Sequence, residues 1–203
     1  MNDRVHVISY AAPPIDRAQA LRYAGAVAGN ADIELLLDSC IEECGEGFEY
    51  KVCWCEFPIA VDEHGVDMGF SHISSADLAR NLKGCGSAVV FGATVGIISD
   101  RMVARYSSVS PSRALMMQAL GAERIERLCD IFCEEIERRK AEDGFDVRPR
   151  FSPGYGDLSI ELQKDIFAVL DCPRKIGLSL NQSLLMSPTK SVTAIIGIRK
   201  TGE

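Results

Sequence analysis

Any fold for this chain must find cover for one long apolar stripe. Ser110-Pro111 pairs a helix-capping residue with a proline at the first helical turn. Leu115, Ala119, Ala122, Ile125, Leu128, Cys129, Phe132 and Ile136 then follow at helical spacing, down to about Lys140. Gly121 is a point where such a helix bends or breaks. The opposite face holds Glu123, Arg124, Glu126, Arg127, Glu134, Glu137 and Arg138, which reads as a solvated surface with i,i+4 charge pairs.

Strand signals surround that helix. Val5 to Tyr10 alternates, and so does Phe48, Tyr50, Val52 and Trp54 against Glu49, Lys51 and Cys53. The aromatic face of that second run belongs in a core, because one sheet face must be buried. Ile59-Ala60-Val61 and Val66-Asp67-Met68 bracket Asp62-Glu63-His64-Gly65, a hairpin signal. Ser87 to Gly96 reads as a buried strand entering a turn, and Ser191 to Ile198 as a β-rich last strand. Shorter helices interleave with these. Asp16 caps Arg17 to Ala24, and Ile33, Leu36, Leu37, Cys40, Ile41 and Cys44 form a stripe closed by Gly45. Ser75 opens a helix through Leu82, and Leu162, Ile166, Phe167 and Leu170 mark one that Pro173 ends. Asp143 to Arg148 reads as a polar linker. The expected architecture is α+β: one domain over residues 1–203, with a twisted, mainly antiparallel sheet and packed helices.

Composition narrows the function. A net charge of -7 argues against a nucleic-acid or anionic-membrane binder. No apolar run reaches the roughly 18 residues of a membrane span, and Met1-Asn2-Asp3-Arg4 does not open a signal peptide, so a cytoplasmic location is expected. The 8 cysteines include no CxxC pair. Cys40/Cys44 and Cys129/Cys133 could each offer two thiolates to a metal, but small buried hydrophobes in a reducing compartment is the preferred reading. His6, His64 and His72 form no cluster at ligand spacing. The strand-Gly-x-x-x-Gly at Gly92 and Gly96 lacks the third glycine and the distal acid of a dinucleotide site. Thr189-Lys190-Ser191 lacks the glycines of a phosphate loop.

One stretch reads unlike ordinary core or linker, either a tight loop with a solvated Arg and a half-buried Tyr or a loop built for a ligand: Arg150-Phe151-Ser152-Pro153-Gly154-Tyr155. Proline-glycine forces a turn, and glycine admits close approach. Arginine offers a rigid fork of donors for a carboxylate, and tyrosine a ring for a cation or an apolar face.

Arg-x-x-Pro-Gly-Tyr is followed by the Leu162–Leu170 helix, then Ile176-Gly177-Leu178-Ser179-Leu180, Ser183, Met186, Pro188 and Ser191-Val192. This ordered set resembles the activation domain of cobalamin-dependent methionine synthase. The resemblance extends more loosely to Ile15-Asp16 and Leu21-Arg22-Tyr23. It implies an S-adenosylmethionine-binding protein, here free-standing, that supports reductive methylation of cob(II)alamin. The cobalamin would sit on a methionine synthase core acting as partner, with flavodoxin or a similar electron donor. It also implies binding roles by residue. Arg150 would clamp the ligand carboxylate, and Asp130 with neighbouring Glu134 would pair the ammonium, the alternative for Asp130 being a plain surface carboxylate. Ser152 and Gly154 would present backbone to the adenine, Pro153 between them would also belong to the site, and Tyr155 would cover an apolar face of the ligand or its sulfonium. Lys190, beside Ser191, would either face a corrinoid or partner or stand solvated. No general base or nucleophile is expected. Two departures stand out. Gly156 replaces a proline, and Ile196 falls where the family carries a tyrosine. The second motivates an alternative, a corrinoid-protein docking module that no longer binds S-adenosylmethionine.

Overall fold

The computed structural model of the chain describes residues 5–26, 29–62 and 65–202. Its elements in chain order are β1 (His6–Tyr10), α1 (Arg17–Tyr23), α2 (Ala31–Cys44), β2 (Tyr50–Pro58), β3 (Ala60–Asp62), β4 (Gly65–Asp67), β5 (His72–Ile73), α3 (Ala76–Asn81) and β6 (Ser87–Thr94). They continue with α4 (Ile98–Tyr106), α5 (Pro111–Glu142), β7 (Phe145–Val147), α6 (Leu162–Leu170), α7 (Cys172–Ile176), β8 (Ser179–Leu180), β9 (Met186–Ser187) and β10 (Ser191–Lys200).

Five strands form an antiparallel sheet in the order β1-β2-β6-β10-β7. The apolar stripe of α5 covers one face through Ile125, Leu128, Cys129, Phe132 and Ile136. Helices α3, α6 and α7 and the small sheet β3-β4-β5 cover the other. With both faces covered, the central strands are buried on both sides. That is why β6 reads as an unbroken apolar run. It also corrects the reading of β2. Tyr50 and Val52 face α5, but Cys53 and Cys55, on the side taken as polar, are buried under α6 and α7. The architecture is therefore the expected α+β fold. Asp16 and Ser75 cap α1 and α3 through their side chains, as their positions suggest. The hairpin forms between β3 and β4, while its turn residues Glu63 and His64 lie outside the described residues. Among the described residues, no helix is long and apolar enough to cross a membrane.

Helix α5 departs from its sequence reading in three ways. It runs through Gly121 to Glu142 without interruption. Glycine is needed there for close approach: a Cβ would lie 2.3 Å from Ser99 Oγ on α4. The first turns are phased differently, with Leu115 exposed and Met116, Met117 and Leu120 buried. Helices α1, α2 and α4 pack there from a direction other than the sheet's. Finally, Glu123 and Arg124, read as solvated, are 1% exposed. They pair with each other, and Arg124 donates to the carbonyls of Pro13 at 2.6 Å and Pro14 at 2.9 Å. Glu123 accepts from the Asp16 amide at 3.1 Å. The pair thus fastens the β1–α1 connection to α5.

Two other boundaries move. The supposed linker after Glu142 contains β7, an edge strand on β10. Helix α6 ends at Asp171, in the left-handed region at φ 53°, and Pro173 sits in the first turn of α7, where its missing N–H costs nothing.

Candidate ligand cleft

The position of Arg150 is set by a count of residues. Val147 pairs with Ile198, yet Phe151 pairs with Ile195, so four steps on one strand match three on the other. The extra residue is a β-bulge around Pro149, a residue that could not donate to the ladder anyway. Side chains alternate along a strand. Val147 packs on the α5 side, and without the bulge Phe151 would as well, leaving Arg150 on the α6 side. Instead Phe151 packs on the α6 side and Arg150 turns to α5. There Nη1 meets Asp130 at 2.6 Å and Nη2 meets Glu126 at 2.7 Å. Burial alone would lower the Arg150 pKa, but the Asp130 hydrogen bond and the Cys129 and Cys133 thiols outweigh it and raise it. The guanidinium is fixed as a cation and oriented.

The turn after Phe151 is held from within and from outside. Gly154, at φ +92°, donates its N–H to the Leu158 carbonyl at 2.9 Å, and Tyr155 donates to Ser152 at 3.2 Å. The Gly154 N–H is therefore not free to read a base. Downstream, the Asp157 carboxylate accepts from the Ser75 hydroxyl, from the Ala76 amide at 2.7 Å and from the Asp77 amide at 3.2 Å. The Ser75 hydroxyl first, and then the two amides, hold the Asp157 pKa below its ordinary value. A lowered folded-state pKa means stability that is full above the unfolded value and lost as pH falls through the folded one. The acid limb of a urea-midpoint profile should therefore flatten in Asp157→Asn, measured below about pH 4. An unchanged profile would remove Asp157 from the loop's anchorage.

A cleft of about 460 Å³ opens beside this turn, bounded by the free end of β10, the start of α6 and the β8–β9 hairpin. Arg150, Ser152, Pro153, Tyr155 and Ser191 line it, and so do Glu126, Gln163, Met186 and Thr193. Tyr155 is 69% exposed and stands at the mouth. The Ser191 hydroxyl is already committed, at 2.8 Å from both Thr94 Oγ1 and the Pro188 carbonyl. Two polar atoms are not committed. Gln163 Oε1 and Thr193 Oγ1 are buried with no hydrogen-bond partner among the described residues, and their residues are 5% and 2% exposed. Buried polar atoms are paired as a rule, and an orphan costs about 1–3 kcal/mol. Both residues line the cleft, and two orphans at its wall point to a ligand that supplies their partners.

Other expected residues lie elsewhere. Asp130 reaches the site only through Arg150, and one of its oxygens is taken. Glu134 is solvent-exposed, pairs with Arg127 at 3.6 Å and does not line the cleft. Gly154 does not line it either; its α-carbon faces Ile160. Lys190 is neither solvated nor presented at the surface. It is 9% exposed, its stem lies against Gly121, and burial lowers its pKa against the pull of Asp100. Ile196 points into the α5-facing core. Sequence reading passed over three lining residues. Glu126 sits four residues before Asp130 on the same helical face, which was a usable signal. Gln163 is polar amid the apolar stripe of α6, a second one. Thr193 gave none.

No family model matches the chain, and no curated protein matches it in sequence. The fold does have a solved counterpart. The class is an α+β reactivation-domain fold, a central antiparallel sheet with one long helix on its face. The particular structure is that of the MetH reactivation domain bound to AdoHcy, similar with a TM-score of 0.69 at 13% identity. The match covers 98% of this chain and 80% of that one. At such identity the likeness defines the fold.

Proposed function

We propose that this chain binds S-adenosylmethionine in the cleft and supplies it for the reductive methylation of cob(II)alamin in a cobalamin-dependent methionine synthase, acting in trans. The observation that carries the reading is Arg150, held by Glu126 and Asp130 at the edge of a cleft with two unpaired buried polar atoms. A solved domain of the same fold holds AdoHcy, the demethylated form of that ligand.

The residues have separable tasks. The remaining N–H groups of Arg150 take the ligand carboxylate. Glu126, with one oxygen not bonded to Arg150, takes the ammonium. Ser152 and Pro153 form the wall, and the Tyr155 ring covers the sulfonium by cation–π attraction. None of them acts as a base or nucleophile; they position the methyl group. The corrinoid, carried by the partner and reduced by flavodoxin or a similar donor, supplies the nucleophile that accepts the methyl. Lys190 has no part in meeting it, because it is buried away from the cleft.

Calorimetry tests the binding step directly. S-adenosylmethionine and S-adenosylhomocysteine should each bind one-to-one. Absence of heat at millimolar ligand would remove the reading. The partner step is tested by adding the chain to a corrinoid-loaded methionine synthase core lacking its own reactivation domain. Oxidised corrinoid should disappear only with chain, S-adenosylmethionine and reduced donor all present.

A further inference from the structure

We propose that Gln163, together with the open edge of β10 at Thr193, reads the base of the ligand and selects adenine by its exocyclic amine. This rests on the reading that the cleft takes an S-adenosyl ligand.

The ladder shows why that edge is open. Even-numbered residues of β10 bond toward β6: the Lys190 carbonyl accepts from Val95, and the Ile198 carbonyl from Gly86. Odd-numbered residues bond outward, with Gly197 accepting from Arg148 and Ile195 exchanging both bonds with Phe151. Thr193 therefore directs its N–H and C=O outward too. By the same register its opposite number is Pro153, which has no N–H, and at Gly154 the chain turns away. Among the described residues nothing pairs with the Thr193 backbone on that edge. Its side chain shares a sheet face with Ile195, the face that α6 covers, and Gln163 is on α6.

The cleft thus has two chemically different ends on opposite faces of the sheet. The α5 end is charged, with Arg150 and Glu126. The α6 end is neutral and holds unpaired acceptors: Gln163 Oε1, Thr193 Oγ1 and the Thr193 carbonyl. A zwitterionic amino-acid tail belongs at the charged end. The neutral end calls for an uncharged donor. Adenine's amine carries two N–H bonds, one for the Gln163 amide oxygen and one for the Thr193 carbonyl. An amide side chain and the adenine edge also match bidentately, oxygen to amine and nitrogen to ring nitrogen. Hypoxanthine has a carbonyl oxygen where adenine has the amine, so acceptor would face acceptor. The Gln163 amide oxygen and the Thr193 carbonyl would both face it.

The test is calorimetry with S-adenosylhomocysteine and S-inosylhomocysteine. The native chain should prefer the adenosyl ligand by about 30-fold or more, the loss expected when a buried acceptor is left facing another. Gln163→Leu should bind the adenosyl ligand about tenfold more weakly and narrow that preference, the Thr193 carbonyl keeping the rest. Arg150→Ala should weaken both ligands and keep their ratio. An unchanged ratio in folded Gln163→Leu, or no preference in the native chain, overturns the assignment. Should the leucine variant not fold, Gln163→Met fills the same space, and the native ratio decides independently. If the native chain binds neither ligand, the reading beneath this one fails as well. Binding without discrimination overturns the base assignment alone.

Discussion

Arg150→Ala is expected to weaken S-adenosylhomocysteine binding by about 30-fold or more, close to 2 kcal/mol. The size follows from what is lost. A charge-assisted pair of hydrogen bonds to the ligand carboxylate disappears, worth about 1.5–3 kcal/mol for a charged group. Glu126 and Asp130 also lose the cation between them and then repel the same carboxylate. Both are 41% and 49% exposed at the side chain, so the fold itself should lose less than about 1 kcal/mol. Arg150→Lys should recover little, since a point charge cannot reach Glu126, Asp130 and a ligand at once. The control ligand is 5′-methylthioadenosine, which lacks the amino-acid tail and should bind both proteins alike. Equal affinity of native and alanine proteins for S-adenosylhomocysteine would discard the clamp.

The second large effect lies far from the cleft. Arg124→Ala should lower unfolding stability by about 3–5 kcal/mol, because it leaves Glu123 as an uncompensated buried charge. That is a large part of the roughly 5–15 kcal/mol a domain possesses. Burial on its own would lower the Arg124 pKa, yet Glu123 outweighs it and raises the pKa, so the cation persists at any working pH. Glu123→Leu combined with Arg124→Met should restore much of the loss, as paired charges can often be exchanged for apolar bulk. Restoration should be incomplete, since the Pro13 and Pro14 carbonyls and the Asp16 amide would lose their partners. Urea midpoints of the three proteins measure this. A single variant with a native midpoint would show that water reaches Glu123.

The contrast between these two arginines shows what the sequence made legible. Caps, stripes and strand alternation are local, so Asp16, Ser75, the α2 and α6 stripes and the β6 and β10 runs could be read directly. The fold class followed from them. The burial of Arg124 could not, because it depends on carbonyls over a hundred positions earlier in the chain. The phase of α5's first turns depends on three helices arriving from a third side, which periodicity against one surface does not encode. Cys53 looked like a spacer because β2's second cover, α6 and α7, comes more than a hundred residues later. At the cleft, residue type marked out Arg150 and Tyr155 but not their setting. Gln163 and Thr193 matter for what they fail to pair with, and only a folded chain reveals a missing partner.

The extra residue between Val147 and Phe151 has an implication for comparing distant proteins of this shape. Which layer receives the guanidinium is a matter of odd or even spacing, not of chemistry. A strand of the same length that paired residue for residue there would keep every recognisable side chain and still deliver the positive group to the wrong layer. Alignments scored on identity alone would pass such a sequence as competent; one that counts rungs would not.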